Sequence, residues 1–593
     1  MRSAWLWLSV GLGLVTACGA PASAPAPLTS VAAPGLAGTS ELDQLIDKAW
    51  AEHSVTPAGE IDDATFLRRV TLDLAGRVPS SSEVSAFLID KSVDKRPRAV
   101  DRLLDSDDHA AHLARSWEQT LLGPATKNRY VDRGALRNWL QEKFKNDVAW
   151  DVIARELVTA EGTSSLGGAR GPASYADDPS RAAEERKSGV NGATNYSLRF
   201  AQSPADLAGN VSRSFMGVQI QCAQCHDHKT EKWTQADFRG LSAVFTRMNI
   251  KPVDRTKGEL PILELASADK PARRLMKKNE DFALFAKTAP RALDGTGLPS
   301  DDGARKGFAT WMTAPENQWF SKAMVNRVWA ELFGAGMVDP VDDMRPSNPG
   351  LMPEVLDRLA EQFEQKGYDL DWLYATICSS KAYNRALGEG GGSASYFSKG
   401  TLRPLSGDAL LDSIFVSADV DALLQDRAPE RASVLKALAR RRMSFVFEED
   451  AESNAEATDG TLQQAFFAMN GVLPVAATTY AEGALLERLL REPSDQKVIE
   501  ELYLRALGRS PTAVELTRAQ AFVSAPHAAD PGAGPNRAQK LKGKKKGKAK
   551  GMLGADAGIP PQALRSQASS DRERGFEDLF WALLNSSEFS FRR

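Results

Sequence analysis

Two cysteines and a histidine form a compact cluster near the middle of this 593-residue chain: Cys222, Cys225 and His226, in the order CAQCH. Two thiols three positions apart, followed directly by histidine, are the attachment pattern of a c-type haem. The sulfurs can form thioethers with the two vinyl groups of one porphyrin, and the imidazole can ligate the iron. Because the chain has only four cysteines and six histidines, chance rarely produces this pattern. The sequence therefore predicts haem c attached at Cys222 and Cys225, with His226 as metal ligand.

Other chemistries use the same residue types, and the sequence leaves them open. The two thiols could form a disulfide in an oxidising compartment. With His226 and His228 they could hold zinc, although four ligands within seven residues make a cramped tetrahedron. A thioredoxin-like redox pair is disfavoured because no βαβ pattern surrounds the motif.

A haem iron bound to His226 has a second axial position, for which the sequence offers several side chains. The candidates are Met216, Met248, His109, His112 and His228. His228 is so close to His226 in the chain that it is not expected to reach the opposite face of the porphyrin. A methionine ligand would raise the reduction potential relative to a second histidine, whereas an open position would favour small-molecule chemistry.

The first residues predict export. Arg2 precedes an apolar run from Ala4 to Val15 that has the length of a signal peptide and is too short to span a bilayer. The run ends in LVTAC, which resembles the lipobox of bacterial lipoproteins, and this resemblance makes Cys18 the lipidated thiol. The expected product is anchored by lipid to a membrane, on its periplasmic or cell-surface side. The alternative is an ordinary secretory signal that happens to contain Cys18.

Helical spacing of apolar residues dominates the rest of the chain, so the predicted fold class is mainly α: two helical domains with long irregular loops. Low-complexity composition marks a tether and an insertion. The predicted organisation is a lipoprotein signal peptide (1–17), an Ala/Pro-rich tether (18–39), a cytochrome-c-like helical domain with the cysteine motif (40–269), a linker (270–310) and a C-terminal helical domain (311–593) with a Lys-rich disordered insertion (525–559).

Several local signals predict where individual helices begin and end. Gly76 should stop the helix before it, and Ser80 to Glu83 resembles a capping box for the next. Thr234 suits the start of the helix that follows the cysteine motif, whose apolar stripe should continue through Met248. Residues 161–192 show no apolar period, which indicates a long loop.

Longer strings resemble known families. RRVTLDLAGRVPSSSEVSAFL, DKRPRAVDRLL and GVQIQCAQCHDHKTEKWTQADFRGLSAVF resemble the second planctomycete-type cytochrome C domain, a family without an assigned biochemical role. NQWFSKAMVNRVWAELFGAGMVDPVDDMRPSNPG and EVLDRLAEQFEQKGYDLDWLYATICSSKAYNRA resemble the companion domain usually fused behind it. The resemblance extends from about residue 40 to 593. It implies haem positions at Cys222, Cys225 and His226, and it implies no catalytic residues.

The favoured function is electron transfer by an exported, membrane-anchored protein with an unknown redox partner. The alternative is a structural or cell-surface binding protein, in contact with a surface polymer, whose cysteine motif holds a metal ion or a disulfide. A net charge of −3 gives no electrostatic case for a nucleic-acid partner. Whether the chain is an enzyme stays open. Asp339, Asp342 and Asp343 could bind a cation or act as acid–base groups, but the favoured interpretation is that they cap helices and pair with Arg345.

Overall fold

The structure is a computed structural model, and it describes residues 39–123, 130–168, 179–201, 203–229, 231–254, 256, 259–447, 467, 469–527 and 566–593. These residues form 26 α-helices and five short strands, which confirms the mainly α fold class. None of the described helices combines the length and the apolar composition needed to cross a membrane. Cys18, the tether and nearly all of the Lys-rich insertion lie outside the described residues.

The helices of the first half end or begin at the predicted capping residues. Gly76 follows α2 in the left-handed region, with φ +66°. Ser80 and Glu83 form the predicted capping box at α3. In chain order these helices are α1 (Thr39–Glu52), α2 (Asp63–Ala75), α3 (Ser81–Ile89), α4 (Lys95–Leu104), α5 (Asp107–Leu122), α6 (Arg133–Lys145), α7 (Trp150–Thr159), α8 (Pro179–Lys187), α9 (Thr194–Arg199), α10 (Pro204–Met216), α11 (Gln235–Ala243), α12 (Arg273–Lys278), α13 (Glu280–Lys287) and α14 (Ala304–Met312).

The helices of the second half begin with the long, largely buried α15, which Gly334 ends in the left-handed region. They are α15 (Gln318–Phe333), α16 (Pro353–Gln365), α17 (Leu370–Cys378), α18 (Gly407–Ala418), α19 (Val420–Arg427), α20 (Ala432–Phe447), α21 (Val472–Thr478), α22 (Leu485–Leu489), α23 (Asp495–Leu507), α24 (Ala513–Val523), α25 (Asp571–Leu584) and α26 (Ser587–Ser590). Short 3₁₀ turns span Gln221–Gln224, Gly392–Ser395 and Pro429–Arg431.

Two small antiparallel sheets join distant parts of the chain. One has the order β1–β3–β2, from β1 (Gly162–Thr163), β2 (Met248–Asp254) and β3 (Ile262–Ser267). The other pairs β4 (Arg403–Pro404) with β5 (Phe591–Arg592), so the end of the chain is held against its middle.

Two predictions from periodicity were wrong. Residues 161–192 are not one long loop, since they contain β1 and α8; the latter is a strongly polar helix without an apolar stripe. The stripe through Met248 is not one helix, because α11 ends at Ala243 and Met248 opens β2. Residues 270–310 contain α12, α13 and the start of α14, and their role as a linker between domains stays a prediction.

Helix α2 lies where two apolar clusters of the core meet. Val70 and Leu74 belong to the larger cluster, whose buried members extend from Leu42 to Phe397. Leu72, on another face of the same helix, packs in the second cluster with side chains from residues 410–589. The larger cluster includes side chains on both sides of residues 270–310, and the division into domains there stays a prediction.

Candidate haem site

The two motif cysteines lie on and just after a single 3₁₀ turn. Helix α10 ends at Gly217, which adopts φ +65°, and the chain enters the turn Gln221–Gln224 four residues later. Within that turn Ala223 is buried, whereas Cys222 is exposed. Cys222 and Cys225 are both exposed free thiols. The buried alanine therefore anchors the turn and leaves both sulfurs open to a ligand in solvent.

The imidazole of His226 hydrogen-bonds to the backbone of the next residue. Its Nδ1 lies 2.8 Å from the carbonyl oxygen of Asp227. Because a carbonyl oxygen only accepts hydrogen bonds, Nδ1 is the donor, and in the neutral ring the lone pair of Nε2 is then left for a metal. The side chain is exposed, so Nε2 is reachable. This is the protonation pattern that an iron-ligating histidine needs.

Gln235, the first residue of α11, fixes the motif from its C-terminal side. Its side-chain amide donates to the carbonyl oxygen of Cys225, and its backbone N–H donates to Oδ1 of Asp227 at 2.8 Å. Thr234 and Asp237 form a capping box at the start of α11, which confirms the predicted helix start. The helix therefore places Gln235 where it can hold the loop that carries His226.

A cleft of about 250 Å³ opens beside Cys222. Its opposite wall comes from the turn that follows α15, whose Met344 donates its backbone N–H to the carbonyl oxygen of Gly217 at 2.8 Å. The lining residues are Val218, Gln219, Cys222, His228, Glu231, Trp233, Pro340, Asp343, Met344 and Arg345. Because pockets that enclose ligands usually measure about 300–1,000 Å³, this cleft can cover only part of a porphyrin.

A second cleft, of about 260 Å³, shares Trp233 and Met344 with the first. Trp233 packs against Trp319 with ring centroids 5.9 Å apart. The ammonium of Lys232 lies over both indoles, 5.0 and 5.5 Å from their centroids. Trp233 and Met344 therefore give the cleft beside Cys222 an apolar part among charged side chains, whereas Cys225 and His226 line neither cleft. The exposed thiols and imidazole suit a largely exposed haem c, of which only one part would meet this cleft.

Of the predicted second axial ligands, only His228 lines the cleft beside Cys222. Its Nδ1 accepts the backbone N–H of Glu231 at 3.1 Å. Met344, which lines both clefts, is a further candidate that sequence reasoning missed, since it lies more than a hundred residues from the motif.

The other four candidates contribute to other parts of the structure. Met216 is fully buried, with its sulfur 3.9 Å from the side-chain nitrogen of Asn317. Met248 lines a different cleft. His109 Nδ1 donates to the carbonyl oxygen of Leu74 at 2.8 Å. His112 packs against Gly76, where a Cβ would come within 2.4 Å of its Nδ1.

His109, which is buried, and His112, which is partly buried, belong to a cluster of titratable groups that packs against the end of α2. Burial lowers the pKa of His109 and of His112 to about 4, so both are neutral near pH 7. Burial raises the pKa of Glu331 to about 7, although Tyr374 donates a hydrogen bond to it at 2.7 Å. These groups interact with one another inside the fold, and none of them lines the cleft beside Cys222.

Asp342 and Asp343 form structural pairs. Asp343 pairs with Arg345 at 3.0 Å, which confirms the favoured interpretation of the sequence. Asp342 pairs with Arg213 at 3.4 Å and accepts a hydrogen bond from Gln219. Within the described part of the chain, no three His, Cys, Asp or Glu side chains lie together as a metal site, so the four-ligand zinc set is not assembled there.

In a comparison with known protein families, two family models match separate parts of the chain. Residues 41–250 match the family model described as PSCyt2, a protein of unknown function (DUF1549). Residues 304–523 match the model described as PSD1, a protein of unknown function (DUF1553). None of the curated proteins and none of the solved structures compared matches the chain.

The two matches are to the planctomycete cytochrome-type domain and to its companion domain, in agreement with the sequence resemblance. Cys222 lies in the first match and Met344 in the second. The cleft between them is therefore formed by both matched regions.

Proposed function

We propose that this protein is an exported, lipid-anchored electron carrier with haem c attached through Cys222 and Cys225 and ligated by His226. One observation carries the proposal: two exposed thiols, on and just after one short turn, adjoin an exposed imidazole whose Nδ1 donates to a backbone carbonyl. Within the cytochrome-type match, these are the residue types and the spacing that haem attachment requires.

The bound haem would supply a one-electron Fe(III)/Fe(II) couple. The chain's own residues set its environment. The hydrogen bond from Nδ1 to Asp227 orients the ring of His226, and Gln235 holds the loop in place. Trp233 and Met344, which line the cleft next to Cys222, would shield part of the porphyrin from water. Such shielding and hydrogen bonding are the means by which a protein tunes a haem potential.

The export and anchoring part of the proposal is supported by the apolar run and by Cys18 at the end of LVTAC. It also agrees with the haem, since c-type haem is attached outside the cytoplasm. Labelling with a fatty acid should mark the wild-type protein, and the Cys18→Ala variant should lose the label and leave the membrane fraction. Membrane association of this variant equal to that of the wild type would contradict the lipid anchor.

A redox titration tests the electron-transfer role. The protein should be produced together with a cytochrome c maturation system, and its visible spectrum followed while the potential is varied. We expect one reversible one-electron transition. The Cys378→Ser variant, which changes a buried thiol away from the motif, is the matched control and should retain the transition. Protein that contains stoichiometric zinc and no iron would instead favour a metal-binding structural protein.

A further inference from the structure

A large cleft adjoins the turn that carries Cys222. Its volume is about 1140 Å³. Gln221, the residue before Cys222, forms part of its lining, and the Gln221 side chain packs so closely on Gly209 that a Cβ there would lie 2.5 Å from Gln221 Cγ. The cleft is therefore contiguous with the haem turn, but neither motif cysteine lines it.

Among the described residues that line this cleft, the charged side chains are predominantly cationic: they are Arg199, Arg213, Arg274 and Lys278, with one carboxylate, Asp206. Arg213 is partly neutralised by Asp342 at 3.4 Å. Arg199 donates through Nε to the carbonyl oxygen of Leu122. Guanidinium and ammonium groups that converge on one cleft favour an anionic ligand, and the arginine fork suits carboxylate and sulfate groups.

Arg274 and Lys278 are both exposed and lie one turn apart on α12. Arg273 and Lys277 of the same helix do not line the cleft. Two of the four cations of this helix therefore line the cleft and two do not. Substitutions of the second pair can serve as the control for substitutions of the first.

The uncharged lining indicates what carries the anionic groups. Amide and hydroxyl side chains, which hydrogen-bond to hydroxyl groups, line the cleft together with apolar ones. The polar set is Ser203, Asn210, Gln221, Asn249 and Asn279, and the apolar set includes Leu198, Phe200, Ile250, Leu263 and Leu275. Sugar rings present hydroxyl groups at their edges and C–H groups on their faces, whereas a lipid tail would need a continuous apolar wall.

The size of the cleft favours a chain over a single small molecule. Pockets for single drug-sized ligands measure about 300–1,000 Å³, and this cleft lies above that range. We propose that the cleft binds an acidic oligosaccharide, a short chain of sugars with carboxylate or sulfate groups, with Arg274 and Lys278 pairing with its anionic groups. This site is independent of the haem.

Isothermal titration calorimetry with the full-length protein tests this proposal with three probes: an oligogalacturonate, a chondroitin sulfate oligosaccharide and a neutral cello-oligosaccharide. We expect saturable binding of at least one acidic probe and no binding of the neutral one. The double variant Arg274→Glu/Lys278→Glu should weaken that binding by about tenfold or more, whereas Arg273→Glu/Lys277→Glu should change it by less than about threefold. The two acidic probes show whether carboxylate or sulfate is preferred.

Three outcomes would overturn the proposal. Equal weakening by both double variants would show that α12 attracts anions without a defined site. If the neutral probe bound as tightly as the acidic ones, charge would have no role in recognition. If neither acidic probe bound, acidic oligosaccharides would not be the ligand. Circular dichroism of each variant should match that of the wild type, and binding to phosphatidylglycerol vesicles in place of the sugars would assign the cleft to lipid.

Discussion

The side-chain amide of Gln219 donates a hydrogen bond to Oδ1 of Asp342 at 2.9 Å. Gln219 lies three residues before Cys222, in the cytochrome-type match, whereas Asp342 lies in the companion match. Arg213 of α10 adds an ion pair to the same carboxylate at 3.4 Å. The companion region therefore holds the segment that presents the thiols, which gives a structural reason for the two regions to occur in one chain.

Replacing Asp342 with alanine should destabilise the protein by about 1–2 kcal/mol, because Gln219 and Arg213 lose their shared acceptor. Urea unfolding of the variant and the wild type would measure this difference. Asp357→Ala is the control, since its pair with Lys322 is on the surface, where ion pairs contribute about 0–1 kcal/mol. If both substitutions lowered the free energy of unfolding equally, Asp342 would contribute no more to stability than a carboxylate on the surface.

We expect Met344 to supply the second axial ligand, because it is the methionine that lines the cleft beside Cys222. The Met344→Leu variant keeps the apolar wall but removes the thioether. Its reduction potential should fall, since methionine ligation raises the potential relative to histidine. Met216→Leu, in the buried core, should leave the potential unchanged in the same redox titration. An unaltered potential in Met344→Leu would assign the position to another side chain.

Asp73 of α2 is a buried counter-charge for two arginines near the second sheet. It pairs with Arg592 and lies 3.6 Å from Arg403. Asp73→Ala should cost about 3–5 kcal/mol in denaturant unfolding, because buried guanidinium groups would remain without a carboxylate. Asp63→Ala, which breaks a more exposed pair with Lys95, should cost about 1 kcal/mol or less. Similar costs would contradict a specific role for the buried network.

Glu331 should make stability depend on pH. Burial raises its pKa from the ordinary value of 4.5 to about 7. Between these values the folded state keeps a proton that the unfolded state releases, so its contribution is present below pH 4.5 and is lost as pH rises through 7. Glu331→Gln should therefore be more stable than the wild type at pH 8, by about 2 kcal/mol, with little difference near pH 5.

Thermal or denaturant unfolding at several pH values would measure this effect. Asp371, whose pKa burial and nearby carboxylates raise to about 7, should leave a residual slope of the same sign in the Glu331→Gln variant. A variant whose stability follows that of the wild type at every pH would show that Glu331 does not titrate in this range.

The sequence predicts features that depend on a few neighbouring residues. The caps at Gly76, Ser80 and Thr234 follow from local hydrogen bonding, and the motif around Cys222 follows from spacing. Local reasoning fails where the partner is distant. Met248 continues the helical period of α11 by coincidence, and only pairing with β3 reveals it as a strand.

The site shows the same limit. The thiols and the imidazole are close together in the sequence, so their chemistry can be recognised from the sequence alone. The wall opposite them, with Met344 and Arg345, comes from a turn more than a hundred residues later. No pattern in the motif indicates which distant turn packs against it, so that half of the site required the three-dimensional structure.

Mass spectrometry of the peptide that contains Cys222 and Cys225, from the natively exported protein, tests the central claim most directly. Covalent haem predicts that this peptide carries the added mass of one porphyrin and that the protein keeps its Soret absorption after denaturation. The Cys222→Ala/Cys225→Ala variant should lose both signals. A wild-type peptide at its unmodified mass, from protein produced with an active maturation system, would contradict the haem assignment and the electron-transfer function that depends on it.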